Sequence, residues 1–443
     1  MNAEAKNAAF ARRAHRAGDF STAARLYKTA LEENNYDSAV RHDYAVLLMQ
    51  MGQHEDAAEL LEGLSAEERP SLDSMTVLAL CLRRAKRYDE AIVTATRALL
   101  HAPESAIFWF VKGACQHASG DSHRAVPNLM KCVSLSPDLF EAWHFLGEAL
   151  QAAHRPRDAI KAYQIAMRRQ QSEVFNIGIC LEQLGEVEEA RKAYEAMRRL
   201  HPERIDCLVR LTHAESLCCM LDNESARQAE IASKSLEAEI RDDVAEAFPL
   251  SYMNLDKIVR SALLKRYTNR VLARAPRLNK NSAPIKSERR FIRIGYISPD
   301  FGDHAVGHLV QDIFASHDRD QFKIFGYSLK RHDGLIARKI ERSFDIYSDC
   351  SAEPDAAAAE MIAKDQIDVL IDLAGYTQGS RPEILAARPA QRQLGWLGFI
   401  DSHEAPWLDG IILDEFLSPQ DAKWWCPDRV IKMKGICFPG GIF

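Results

Sequence analysis

The sequence predicts an all-α solenoid of helical hairpins followed by an α/β lobe built on a parallel sheet. Two patterns carry this expectation. Alanine recurs at positions 23, 57, 91, 125 and 159 with a constant step of 34 residues, and again at Ala190 after a step of 31. From Phe291 onward that period disappears, and short β-branched apolar runs alternate with helical stretches.

Within the first region each alanine heads an apolar stripe. Four residues on stand Tyr27, Leu61, Ala95, Leu129, Tyr163 and Tyr194; seven on stand Ala30, Leu64, Ala98, Cys132, Ala166 and Met197. Spacings of four and seven share one helix face. A helix–turn–helix unit repeating at 34 is the tetratricopeptide (TPR) pattern, whose units bury their apolar face only by stacking. The fifth unit is the fullest, with Trp143, Leu146 and Gly147 ahead of Ala159, Tyr163 and Ala166. Pro103, Pro137 and Pro202 end second helices. Six units therefore occupy residues 1–204. Residues 205–275 stay helical without the alanine signature and are expected to cap the repeats and link onward, the stretch AEAFPLSYMNLDKIVRSALLKRYTNRVLARA giving one or two helices. Residues 276–290, PRLNKNSAPIKSERR, are polar, basic and proline-broken, and read as a linker with a solvated run at Lys286–Arg290.

Residues 291–443 form the α/β lobe. FIRIGYIS is a strand, FGDHAVGH a glycine-containing turn and LVQDIFASH a helix; FKIFGYS is a second strand and LIARKIERS a helix. AEPDAAAAEMIAKD is helical, and VLIDLAG is apolar almost throughout, as a strand covered on both faces must be. RPEILAARP and RQLGWLG add a helix and a strand; DGIILDEFLSPQDAKWWCPDRVIKMKG reads as strand, helix and closing strand. Such alternation is Rossmann-like.

A chain of 443 residues exceeds one compact core, so two or three domains are expected. The formal charge of −6 gives no global attraction to nucleic acid or anionic membrane, and neither is expected as a partner. No apolar run reaches the roughly 20 residues of a bilayer span, and the N-terminus lacks a secretory apolar core; a cytoplasmic location is expected. The ten cysteines contain no CxxC pair, and Cys218 and Cys219 are adjacent. Cys81, Cys115, Cys132 and Cys180 sit among apolar repeat residues and read as packed thiols in a reducing compartment. No metal and no cofactor are called for.

In an open parallel sheet ligands bind outside the carboxyl ends of the strands. Two loops there carry candidates. SPDFGDHAVGH offers Asp300, Asp303, His304 and His308 around Gly302 and Gly307; AGYTQGSRPE offers Gly375, Tyr376, Thr377, Gln378 and Arg381. Asp300 reads as a turn cap. The glycines lack the Lys-Ser/Thr of a phosphate loop and identify nothing alone. Trp424 and Trp425 read as core or interface.

The order TPR units, FPLSYMNLDKIV, IGYISPDFGDHAVGH and KDQIDVLIDLAGYTQGSRPEILAARPAQRQLGWLGF resembles glycosyltransferase family 41, the TPR-containing protein O-GlcNAc transferases and their bacterial and SPINDLY-like relatives. The resemblance implies the first half of a GT-B type catalytic region. It also implies inverting transfer of a sugar, typically N-acetylglucosamine from UDP-GlcNAc as substrate, to Ser or Thr of protein acceptors bound by the TPR groove. It places His304 at the family's cleft histidine, a candidate base, and Asp365 at an acidic position near the reaction centre. Gly375, Tyr376 and Thr377 match the family's GYT loop. His304, Asp365 and Tyr376 are thus the catalytic expectations, and Asp303, His308, Gly375, Thr377 and Arg381 the substrate-binding ones.

The sequence departs from the family in four places. Asp368 replaces the histidine of D-x-I-H, and WLGF continues as Ile400-Asp-Ser-His-Glu in place of a glycine-rich run. The asparagine-ladder positions read Ala9, Asp43, Val77, Val111, Phe145 and Asn176. The family's second lobe, which supplies most nucleotide contacts, is expected to be missing after CFPGGIF. Without it unaided catalysis is expected to be poor and an uncovered lobe face to self-associate. The alternative function is a catalytically inactive TPR interaction scaffold.

Overall fold

A computed structural model describes residues 3–33, 37–62, 71–236, 244–278, 291–399, 403–418 and 430–435. Most of the expected linker, Trp424 and Trp425, the helix expected before the last strand, and the C-terminal CFPGGIF lie outside these residues. The chain divides into two compact units, 1–173 and 174–443.

The first unit is built of helical hairpins: α1 (Ala3–Arg16) with α2 (Phe20–Glu33), α3 (Ser38–Gln50) with α4 (His54–Glu62), α5 (Leu72–Arg84) with α6 (Tyr88–Leu99), α7 (Ala106–Ala118) with α8 (Ser122–Leu135), and α9 (Phe140–Ala152) with α10 (Pro156–Ala166). The periodic alanines are the reason they stack. Ala23, Ala57, Ala91, Ala125 and Ala159 are all fully buried, as is Ala190 in the second unit. The partners four and seven residues on are buried with them wherever described; Leu64 lies outside the described residues. Helix approach is close enough to demand small residues opposite. A Cβ on Gly147 would stand 2.5 Å from the Tyr163 ring, and one on Gly113 2.7 Å from Leu129. The connections repeat too: Trp109 donates its indole N–H to the Pro103 carbonyl (2.7 Å), and Trp143 does the same to Pro137 (2.9 Å).

Each hairpin turn contains one residue in the left-handed region: Gly18, Gly52, Lys86, Gly120, His154 and Gly185, with φ between 57° and 85°. That conformation ends a helix most easily at glycine. The series continues at Cys219, φ 57°, where α13 (Ile205–Leu217) turns into α14 (Glu224–Leu236). The second unit also holds α11 (Glu173–Gln183, from its second residue) and α12 (Val187–Leu200), so α13–α14 is a seventh hairpin in the same backbone register. The alanine search stops at the sixth unit because Glu224 occupies the alanine position of the seventh.

Helix α13 is buried at eleven consecutive positions, Ile205 to Glu215. Two of its buried charged residues are held in ion pairs, as burial requires. Arg210 donates to Glu182 (2.7 Å) and bridges to Glu246 (2.6 Å), Tyr194 donates to Glu182 (2.6 Å), and Arg227 forks onto Glu215 (2.7 and 3.0 Å). Burial pushes the Glu182 carboxyl up, but His213, Arg210 and Tyr194 outweigh it and bring it down to about 2. Two further helices follow, α15 (Ala247–Leu250) and α16 (Lys257–Arg274).

Among the described residues seven parallel strands make the sheet: β1 (Ile292–Ser298), β2 (Phe322–Ser328), β3 (Ile346–Asp349), β4 (Val369–Asp372), β5 (Arg392–Trp396), β6 (Gly410–Asp414) and β7 (Val430–Met433), in the order β3-β2-β1-β4-β5-β6-β7. The short exposed β3, IYSD, carries too little apolar signal to be seen in the sequence. Connecting helices are α17 (Ala305–Val310), α18 (Leu335–Ser343), α19 (Asp355–Lys364) and α20 (Pro382–Ala386), with a 3-10 turn at Phe314–Ser316 that splits the helix expected over LVQDIFASH. Side chains alternate between two cores. Ile297, Phe325, Tyr327 and Leu370 join residues of α13, α16, α19 and α20, while Tyr296, Ile324, Ile371 and Trp396 join Val310, Phe314 and Ile340 on the other face. The chain leaves from β1 outward to β3 and returns to pair β4 against β1. The strand order therefore reverses between β1 and β4, the place outside whose carboxyl ends open parallel sheets form their ligand crevice.

Candidate functional site

Both glycine-bearing loops meet at this reversal. The first leaves β1 at Ser298, whose hydroxyl accepts the Asp300 N–H (3.0 Å). The Asp300 carbonyl accepts the Gly302 N–H (2.9 Å), so the backbone closes the turn and the side chain is left to other partners. Gly307 lies so close to the Gly302 and Asp300 carbonyls that no Cβ fits, which clamps α17 onto the loop. His304 is the N-cap of α17, its Nδ1 accepting the Val306 N–H at 3.3 Å. Half of its side chain is exposed, and Nδ1 lies 3.6 Å from Oδ1 of buried Asp300. Burial pushes the Asp300 carboxyl above its usual range, while His304, His332 and Lys330 pull the other way. His332, from the loop after β2, donates Nε2–H to the Pro299 carbonyl (2.5 Å) and lies over Gly302.

The second loop is organised by Asp372 at the end of β4. Its buried carboxylate accepts the N–H groups of Ala374 (2.9 Å) and Gly375 (3.1 Å). Burial pushes this carboxyl up to about 6, the two N–H bonds opposing. Gly375 turns left-handed (φ 59°), with its α-carbon against Phe399 and His403; both the conformation and the contact exclude a side chain. Thr377 donates to the Ala374 carbonyl (3.0 Å). The loops touch: a Cβ on Gly379 would stand 3.2 Å from Cβ of Pro299. Gly398, after β5, closes the third side against the Leu373 carbonyl.

Asp300, Asp303, His304, His308, Gly375 and Thr377 all lie on the two loops that follow β1 and β4, but three expected residues are placed differently. Asp365 caps the end of α19, ahead of β4, and so lies at the opposite edge of the sheet; β4 alone spans about 13 Å. There it accepts the Tyr327 hydroxyl (2.8 Å), and its carbonyl accepts Arg293 (2.6 Å). Asp368 holds the Arg293 N–H at that same edge (2.8 Å). Tyr376 is buried against Tyr267, Phe399 and His403, and its hydroxyl donates to the His403 carbonyl (2.7 Å). Arg381 bonds Asp355 and the carbonyls of Cys350 and Glu353, which fixes the loop to the start of α19. Asp303 and His308 pair with each other at 2.8 Å on the surface. Asp372 and His332 are the residues that motif reading passed over. Asp372 looks like part of an apolar strand, and His332 reaches the crevice only because β2 neighbours β1.

The repeats hold a separate groove. Between α1 and α3 a groove of about 410 Å³ is lined by Arg12, His15, Arg16, Tyr27, Asp43 and Gln50. Of the ladder positions, Val77 and Val111 are buried. Among the described residues no helix is long and apolar enough to cross a membrane, and no group of three or more His, Cys, Asp or Glu side chains is arranged to hold a metal ion.

Comparison with known proteins gives the same division. The Glycosyl transferase family 41 model matches residues 228–440, and tetratricopeptide-repeat models match 14–75, 106–139 and 146–205. A probable UDP-N-acetylglucosamine–peptide N-acetylglucosaminyltransferase, SEC, of Arabidopsis thaliana is 31% identical over 221 residues, 47% of this chain and 22% of the relative. The UDP-N-acetylglucosamine–peptide N-acetylglucosaminyltransferase of Caenorhabditis elegans is 40% identical over 151 residues, 34% of this chain and 13% of the relative. The chain therefore matches less than a quarter of the length of either relative. A mutant of the Thermobaculum terrenum O-GlcNAc transferase superposes with a TM-score of 0.41 at 19% identity, over 83% of this chain and 58% of that one. The chain joins a tetratricopeptide-repeat domain to a C-terminal domain similar to glycosyl transferase family 41, related at low to moderate identity to O-GlcNAc transferases and SPINDLY proteins.

Proposed function

We propose that the C-terminal domain takes part in transfer of a sugar, N-acetylglucosamine from UDP-GlcNAc, to Ser or Thr of protein acceptors selected by the repeats. The observation that carries this reading is the meeting of the 299–308 and 374–381 loops at the β1/β4 reversal, within the segment that the family 41 model matches. In such a transfer the acceptor oxygen forms a bond to the anomeric carbon as the bond to phosphate breaks. The nucleoside diphosphate leaves with the electron pair, and the hydroxyl proton is released. His304 and Thr377 line the acceptor side, and Asp372 holds the turn that Gly375 makes possible. Asp365, Tyr376 and Arg381 act as supports of the scaffold.

The test is binding of UDP and UDP-GlcNAc to the full chain by calorimetry, with transfer to Ser/Thr peptides followed by mass. Binding that perturbs the 374–381 loop is expected, as is a drop of about a hundredfold or more in transfer for His304→Ala. Absence of UDP-GlcNAc binding at millimolar concentration removes the reading. A second reading, a TPR interaction scaffold without catalysis, is favoured by the internal commitments of Tyr376 and Arg381; transfer abolished by His304→Ala excludes it.

A further inference from the structure

An imidazole nitrogen accepts a hydrogen bond only when it carries no proton. His304 Nδ1 accepts the Val306 N–H that α17 must satisfy at its first turn. The neutral ring then has its single proton on Nε2. No described side chain or carbonyl engages Nε2, and half the side chain is open to solvent. Asp300 stands near the same nitrogen. Its carboxylate is buried, makes no turn bond because the backbone carbonyl has taken that place, and lies 3.6 Å from Nδ1. Lys330 and His332 face Asp300 from the loop after β2, and the Asp303–His308 pair lies on the surface beside α17.

We propose that His304 meets substrate as a hydrogen-bond donor through Nε2–H, and that Asp300 is the positioning residue that receives Nδ1–H when the ring is protonated. In the neutral ring the nitrogen free to face the crevice cannot take a proton, because it already carries one. His304 therefore donates to an oxygen atom of the bound substrate, and the hydroxyl proton leaves by another route. On protonation Nδ1 becomes a donor and can no longer cap α17. The Asp300 carboxylate is the acceptor in reach, so the imidazolium exchanges a backbone partner for a buried counter-ion. What Nε2–H meets rests on the sugar-transfer reading; the tautomer itself does not.

The experiment is long-range ¹H–¹⁵N spectroscopy of the full chain labelled in histidine, with His304 assigned by its loss in His304→Gln. At alkaline pH the ring is expected as the Nε2–H tautomer. Val306→Pro removes the capping N–H within the first turn, where no intrahelical bond is lost, and is expected to shift the tautomer ratio about fivefold toward Nδ1–H. In His304→Gln the Asp300 carboxyl, followed by ¹³C, is expected to titrate at higher pH than in the wild type, having lost a neighbour that lowers it. A wild-type ring in the Nδ1–H tautomer, or a ratio unmoved in a folded Val306→Pro chain, overturns the proposal. Loss of UDP-GlcNAc binding with the tautomer intact overturns only the transfer reading.

Discussion

Replacing Asp372 by asparagine is expected to stabilise the second unit at neutral pH. The carboxyl is buried at the end of β4, and burial pushes its pKa up to about 6 from an ordinary value of 3.8. A folded-state pKa above the unfolded one means that the native state binds the proton more tightly. Stability from this group is then fully present below about pH 4 and is lost as pH rises through about 6. A shift of roughly two units corresponds to ~3 kcal/mol of cost for carrying the ionised form at pH 7.5. The asparagine would keep an oxygen to accept the Ala374 and Gly375 N–H groups and carry no charge. Its buried amide N–H₂ needs an acceptor, which takes back about 1–2 kcal/mol. A net gain of about 1–2 kcal/mol at pH 7.5 follows, read as a rise of a few degrees in Tm, with the gain gone or reversed at pH 4.5. The assay is thermal unfolding of wild type and Asp372→Asn at both pH values. Destabilisation by Asp372→Asn that is larger at pH 7.5 than at pH 4.5 refutes the reasoning, because the ionised carboxylate would then be a net brace for the turn.

Gly147→Ala is expected to destabilise by about 1–2 kcal/mol in chemical denaturation, since overpacking against Tyr163 exceeds the helix-propensity gain; a neutral or stabilised variant contradicts the packing. Lys86→Gly is expected to gain about 0.5–1 kcal/mol, because Lys86 occupies the left-handed turn position that glycine fills in four of the other repeats. Glu182→Gln is expected to cost about 1–3 kcal/mol, because Arg210 loses one of its two carboxylate partners and keeps Glu246, and a loss under about 0.5 kcal/mol would show the network to be dispensable. Of the eight described cysteines, Cys218 and Cys219 are expected to alkylate in the native state, while Cys81, Cys115, Cys132, Cys180, Cys207 and Cys350 wait for unfolding. Burial pushes the Cys81 and Cys132 thiols to about 11 and the other four to about 12; peptide mapping after timed labelling checks this.

The repeats were legible because their physics is local. One alanine per 34 residues is fully buried in each hairpin, and its burial is the cause of the pattern rather than a consequence. The seventh hairpin escaped the same reading because its marker survived in the backbone, at the left-handed Cys219, and not in side-chain type. In the lobe, the long apolar runs of β1 and β2 were visible, and the four-residue β3, IYSD, was not. The candidate site was only half legible, for a topological reason. Sequence places a residue before or after a strand, and in a parallel sheet that decides its edge; His304 follows β1 and reaches the crevice, whereas Asp365 precedes β4 and cannot. What no motif announces is which strands are neighbours. That β2 adjoins β1 brings Lys330 and His332 toward Asp300, and that β4 adjoins β1 sets Gly379 against Pro299. The buried carboxylates Asp300 and Asp372 belong to the same lesson. Each sits at the end of one of the two central strands, with its carboxyl raised by burial, and a charge is retained in such a place only where neighbouring groups give it work. For Asp372 that work is two backbone N–H groups; for Asp300 it is the imidazole of His304.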